Sequence, residues 1–405
     1  MFNKCTTAVA RTASSTGIKR QNTGNNIVPS PKPEKKVKIE AAKEMKQIKI
    51  GIYNSSINSI FTKIIGMIDL RSDTVTKPEE NMLDYMFQAK LGDDVFEEDP
   101  TVNELQDYAA SLFGKESALY CSSGTQTNQI AINLHVNPGG EVICHKDSHV
   151  FKYEGGGIAK NSGASTRTIS GDRGRISVNE IEKWINPEND IHYPLTQLIS
   201  IEDTANRGGG AVYDFNEIVR IRAFCNKMNL PLHLDGARVF NALTENQIDY
   251  KTYGKQFDSI SICLSKGLGA PVGSLLLGSQ DFIHRAKRVR KVFGGGMRQA
   301  GIIAAGGLFA LKNNINRLTI DHQHAKQLEK ALKTSSLIKD VIPVETNIVV
   351  FELKDHKRTN EYISALENKG ILALTFGKGM IRMVTHLDID QSAIHKTCEC
   401  IHSIV

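Results

Sequence analysis

Lys266 stands just beyond an apolar run, Ile260 to Leu264, and opens into two glycines in Ser265-Lys266-Gly267-Leu268-Gly269. A lysine at the end of a buried strand is desolvated. Desolvation disfavours the ammonium ion and yields the neutral amine that a Schiff base needs. Asp235 lies 31 residues earlier and closes another apolar run, in His233-Leu234-Asp235-Gly236-Ala237-Arg238. A carboxylate in that position is costly unless it is paired. A protonated ring nitrogen would pair with it, and so would Arg238. A third run, Ala118 to Cys121, gives way to Ser122-Ser123-Gly124-Thr125 and then to a helical pattern. The free N–H groups of a helix start, with nearby hydroxyls, bind anions such as phosphate. The same residues also serve as plain caps.

Each signal alone is ambiguous. An anion site, a carboxylate and a lysine, in that order at strand ends, are together the three contacts that pyridoxal 5′-phosphate requires of a protein. His149 follows a fourth run, Glu141 to Cys144, where its ring could stack on a cofactor and handle a proton. Arg382 is a charge inside an apolar strand, and Arg298 ends the turn-forming Gly294-Gly295-Gly296-Met297-Arg298. Arginine grips carboxylates in a bidentate fork, and an amino-acid substrate would supply one. A structural ion pair is the plainer role. His395, Cys398 and His402 fall at i, i+3 and i+7, but no second ligand cluster accompanies them. They read as one face of a C-terminal helix, and no metal is expected.

Short apolar runs must alternate with helices to place these groups. Such runs cover 118–121, 141–144, 198–202, 232–234, 260–264 and 273–277, with helices over 104–113, 126–134 and 215–229 among them. Alternation implies crossovers and a mostly parallel sheet, whose ligands gather at the carboxyl ends of the strands. Beyond about Leu311 a helix over 320–334 leads to strands at 347–353 and 380–384, a smaller α+β domain. The expected organisation is an extension at 1–66, a large α/β domain at 67–311 and a small domain at 312–405.

The extension holds 12 of the 50 basic residues and 3 of the 44 acidic ones, so the remainder carries 38 and 41. The net charge of +6 therefore belongs to the extension, and the folded body is not a nucleic-acid binder by charge. A nucleic-acid role for the extension alone is the remote alternative. Its basic, Ser/Thr-rich start also resembles an organellar transit segment, the mitochondrial alternative to an expected cytoplasmic location. Seven scattered cysteines fit free thiols in a reducing compartment. The longest apolar run, 300–311, is broken by Gly306 and Gly307 and is too short for a membrane span.

Seven segments taken together resemble the low-specificity L-threonine aldolases: LRSDTVTKP at 70–78, GDDVFEEDPTVNELQDYAA at 92–110, SGTQTNQ at 123–129, LDGARVFNA at 234–242, SICLSKGLGAPVGSLL at 261–276, GGGMRQAG at 294–301 and RMVTHLD at 382–388. The resemblance runs from Met67 to the C-terminus. It implies the fold type I architecture, a pyridoxal 5′-phosphate cofactor, and a homo-oligomer in which dimers pair and subunits share active sites. It implies that Lys266 bonds the cofactor, that Gly124 and Thr125 hold the phosphate with Arg298 contributing from the neighbouring subunit, and that Asp235 meets the pyridine nitrogen. His149 would stack on the ring and is a candidate base. Ser72, Arg238 and Arg382 would hold the substrate carboxylate, and Lys291 would lie near the site.

Two positions depart from the pattern. Many members carry a histidine where this chain has Ala205, in Glu202-Asp203-Thr204-Ala205-Asn206, and Phe96-Glu97 replaces a common Tyr-Gly. The first bears on the substrate's β-hydroxyl, and the second on the entrance or a subunit contact. The implied reaction splits L-threonine or L-allo-threonine into glycine and acetaldehyde. A β-eliminating lyase or a phenylserine-type aldolase on the same scaffold is the nearest alternative.

Overall fold

The structure is a computed structural model, and residues 66–404 are described. Most of the basic extension lies outside the described residues. A seven-stranded sheet takes the order β2-β8-β7-β6-β5-β3-β4. Its strands are β2 (Ser117–Cys121), β3 (Glu141–His145), β4 (Ser165–Ile169), β5 (Thr196–Glu202), β6 (Leu232–Gly236), β7 (Ser259–Cys263) and β8 (Ser274–Gly278). Strands β7, β6, β5, β3 and β4 run parallel, and β8 is antiparallel to both of its neighbours. Strands β3, β6, β7 and β8 are buried along their whole length, which explains why they read as continuous apolar runs rather than alternating ones. β4 is an edge strand of Ser, Thr and Arg with one buried residue, and no apolar run announces it.

Helix boundaries follow local chemistry. The helix expected over 104–113 begins earlier, at Pro100, and ends at Phe113. The Asp99 side chain accepts from the N–H groups of Thr101 and Val102, and proline suits the first turn because its missing N–H would have no partner there. Gly114 closes the helix in the left-handed region at φ 63°. Val102, Leu105, Ala109 and Phe113 form its buried stripe.

A four-stranded antiparallel sheet takes the order β12-β13-β10-β9, from β9 (Ile338–Val341), β10 (Ile348–Leu353), β12 (Leu374–Thr375) and β13 (Met380–Val384). The helices Leu318–Thr334 and Gln391–Ser403 pack on one another beside it. The chain reads as entering the large domain at 67, but Ile68 and Leu70 belong to the core of the smaller sheet. The reason is pairing: β1 (Ile68–Asp69) lies parallel to β11 (Ile371–Leu372). His402 bonds Thr334 at 3.0 Å and Cys398 approaches the Gln327 carbonyl at 3.8 Å, so this part of the C-terminal helix serves helix packing. None of the described helices is long and apolar enough to cross a membrane.

Candidate active site

The parallel register sets Glu202 of β5 beside Asp235 of β6, and Asp235 beside Ser261 of β7. Lys266 comes three residues after β7 and is half-buried. Gly269 lets the chain turn away at once, with φ at +82°, where a side chain would be strained. The helix Gly124–His135 starts at the end of β2. The Ser123 side chain caps the N–H of Gln126, and the first N–H groups, on Gly124 and Thr125, have no partner within the helix. Gly124 is required by space, since a Cβ there would lie 2.6 Å from the Cys263 sulfur.

Asp235 is buried, and Arg238 does not pair with it. Arg238 instead forms a two-pronged ion pair with Asp73, Nε to Oδ2 at 2.7 Å and Nη2 to Oδ1 at 2.6 Å. Burial raises the Asp73 pKa, but the charge and hydrogen bonds of Arg238 outweigh it, with help from Lys266 and Asn347, and hold the carboxyl well below the usual range. Asp235 receives Asn128 Nδ2 on Oδ2 at 3.0 Å and the N–H of Ala237 on Oδ1 at 3.3 Å. Among the described residues it forms no ion pair with a lysine or arginine. His149 Nδ1 meets Glu154 Oε1 at 2.9 Å, and one ligand-capable atom each of His149, Glu154 and Asp235 lies within 4.8 Å of the others. Burial lowers the pKa of His149, but its bond to Glu154 and the charges of Asp235, Glu154 and Glu202 give a net rise.

Glu202 holds two loops at once. Its Oε2 accepts from the backbone N–H of His149 at 2.8 Å, and its Oε1 from that of Asn206 at 2.9 Å. Burial first, then the neighbouring Asp235 charge, push its pKa up to about 7. Asn206 Oδ1 in turn accepts from Arg382 Nη1 at 2.9 Å, while Arg382 Nη2 donates to the Arg71 carbonyl at 3.1 Å. Arg382 Nε is buried and has no hydrogen-bond partner among the described residues. Burial, then repulsion from Arg238, push the Arg382 pKa down to about 10. Its partners are neutral oxygens, and among the described residues no carboxylate forms an ion pair with it.

Gly124, Thr125, His149, Asp235 and Lys266 therefore meet at the carboxyl edge of the large sheet, and Arg382 reaches them from β13. Arg238 is present but engaged by Asp73. Ser72 caps a short turn, accepting from the Thr74 N–H at 3.3 Å. Arg298 is exposed and bonded to Asp93 at 3.0 Å, and Lys291 is also exposed, so neither is committed to the site within one chain. Ala205 is buried and its Cβ points toward the turn at Gly174. Its Cβ lies 2.5 Å from where a Cβ on Gly174 would stand, and Asn206 takes the place next to Arg382. Asn128, Glu154, Asp73 and Glu202 went unrecognised in the sequence. Their signal was polar residues inside apolar segments: Asn128 and Gln129 in a buried helix, and Glu202 ending a buried strand.

The pattern of the β-eliminating lyase family matches residues 69–356. A low-specificity L-threonine aldolase of Escherichia coli is 41% identical over 331 residues, covering 81% of this chain and 96% of that protein. Low-specificity L-threonine aldolase 1 of Arabidopsis thaliana is 39% identical over 343 residues, covering 83% of this chain and 96% of its own. The solved structure of a Leishmania major threonine aldolase superposes with a TM-score of 0.72 at 22% identity, covering 82% of this chain and 98% of that one. This chain belongs to the low-specificity L-threonine aldolase family of the β-eliminating lyases.

Proposed function

We propose that the protein is a pyridoxal 5′-phosphate-dependent aldolase that splits L-threonine and L-allo-threonine into glycine and acetaldehyde. One observation carries the reading. Among the described residues, the site holds a buried carboxylate with no ion-pair partner, Asp235, and a buried guanidinium, Arg382, whose hydrogen bonds go to neutral oxygens. A pyridinium nitrogen answers the first, and an amino-acid carboxylate the second. The residues fit the cofactor: Gly124 leaves room at a helix start for a phosphate, Lys266 supplies an amine, and His149 is fixed at the rim of the floor. Bound there, the cofactor would act as the electron sink for breaking the Cα–Cβ bond.

This chain's residues do the rest. Arg382 fixes the substrate carboxylate, with Ser72 beside it. Asp235 keeps the ring nitrogen cationic. His149, with Nδ1 turned to Glu154, presents Nε2 as the atom that can take a proton from the β-hydroxyl, directly or through water. Glu202 holds the loops of His149 and Asn206 in register. Arg238 stays with Asp73 and shapes the carboxylate pocket.

We place Arg298 at a neighbouring subunit's phosphate. The exposed Phe87, Phe96 and Val292, at 79%, 69% and 77% exposure, support a covered face in a homo-oligomer. A cytoplasmic setting is part of the reading, supported by the free buried thiols of Cys121, Cys144, Cys225 and Cys263. The test is an absorbance spectrum of the purified protein, followed by product analysis with both diastereomers. Glycine and acetaldehyde are expected. Pyruvate and ammonia would assign a β-elimination instead.

A further inference from the structure

Behind Asp235 runs a chain of buried polar groups that the aldolase reading does not use. Asn128 Nδ2 donates twice, to Asp235 Oδ2 at 3.0 Å and to Glu154 Oε1 at 2.9 Å. An amide nitrogen has two hydrogens, so both are spent on carboxylates. Asn128 Oδ1 must then accept, and its partner is His233 Nε2 at 3.1 Å. His233 is fully buried, and burial pushes its pKa down to about 3, so the ring is neutral and carries a single proton. That proton is on Nε2. Nδ1 is therefore an acceptor, and Ser259 Oγ, 2.8 Å away, donates to it. The remaining capacity of Ser259 Oγ accepts from His135 Nε2 at 2.8 Å.

Only one assignment of hydrogens satisfies every link. The two carboxylates dictate the amide, the amide dictates the imidazole tautomer, and the hydroxyl agrees with both. The dependence also runs the other way. Without the His233 N–H, Asn128 would carry a buried acceptor with no partner, which is costly. Relieving it means turning the amide and withdrawing a donor from Asp235.

We propose that His233 is a positioning residue for Asp235, acting through Asn128, and that Ser259 sets its tautomer. This rests on the reading of Asp235 as partner of the cofactor's ring nitrogen. The experiment measures dissociation constants of the cofactor-free protein for pyridoxal 5′-phosphate and for its 1-deaza analogue, which has C–H in place of the ring nitrogen. His233→Phe is expected to weaken pyridoxal 5′-phosphate about tenfold, the size of one charge-assisted hydrogen bond, and to leave the analogue unchanged. His233→Gln keeps an N–H for Asn128 and is expected to restore most of the loss. Ser259→Ala, a smaller change to the core, is expected to act in the same selective way and serves if His233→Phe does not fold. Equal losses for the two ligands, or none in any variant, would overturn the proposal. Wild-type protein that binds both ligands equally well would remove the reading of Asp235, and the proposal with it.

Discussion

Two buried charges, Asp235 and Arg382, are held in opposite ways. Asp235, on the floor, has a donor on each oxygen, and behind one of them hydrogen bonds reach through Asn128 and His233 to Ser259. Arg382, on the wall supplied by β13, bonds two neutral oxygens, lies over the Phe376 ring and, among the described residues, leaves Nε unpaired. The difference matches what each would bind under the proposed function. A resident cofactor is met by a surface fixed in advance. A substrate that comes and goes is met by a cation whose strongest bond is still to be made, so much of its binding energy is released on arrival.

Lys266 joins the two sides, and its removal should break the comparison outright. Lys266→Ala is expected to abolish turnover and the visible absorbance of the bound cofactor. A yellow, active Lys266→Ala protein would refute the assignment. Asp73→Ala comes next. It leaves Arg238 buried without its partner, which typically costs about 3–5 kcal/mol of stability. Chemical denaturation would read this as a lower midpoint, and an unshifted midpoint would mean that the pair contributes nothing net.

Arg382→Ala should sharpen the contrast. It removes a charge-assisted contact of about 1.5–3 kcal/mol, or about ten- to a hundredfold in kcat/KM. Steady-state kinetics should show a raised KM while cofactor affinity stays near that of wild type. A matching loss of cofactor affinity would mean that floor and wall are not separate. The smallest effect concerns pH. Burial raises Glu202 and Asp203 to about 7 and Asp321 to about 6. Each of these groups therefore keeps a proton in the folded protein that it gives up in the unfolded chain between about pH 4 and 7, so its own contribution to stability falls as pH rises through that window, while His135, His233 and His322, lowered by burial, act in the opposite direction. Asp203→Asn should remove its share, so that the stability of the variant relative to wild type rises from pH 4 to pH 7. A difference in Tm between the two proteins that is the same at pH 5 and pH 7 would contradict the Asp203 shift.

Much of the floor was legible because its residues sit at the ends of apolar runs. Asp235, Lys266 and Gly124 are punctuation in a repeating pattern, and parallel strands bring such punctuation to one edge. The supporting layer was not legible. Asn128, Glu154 and His233 acquire their roles from strands and helices that meet only in the fold. Arg238 shows the limit most clearly. Its neighbour in sequence is Asp235, three residues before it, but its partner is Asp73, which no spacing argument points to. Ala205 shows another limit, since motif alignment gives no hint that its Cβ packs against the turn at Gly174.

Asp73 also ties together distant parts of the chain. Its partners Arg238 and Asn347 lie 165 and 274 residues away in sequence. Contacts of that span close very large loops, and the entropy of closure must be met before they return anything. The Asp73 contacts should therefore form late in folding: most ladders of both sheets, such as β6–β7, β7–β8 and β10–β13, close much shorter loops than this knot does. Substitutions at Asp73 should then act chiefly on how fast the native protein comes apart, and much less on how fast it forms.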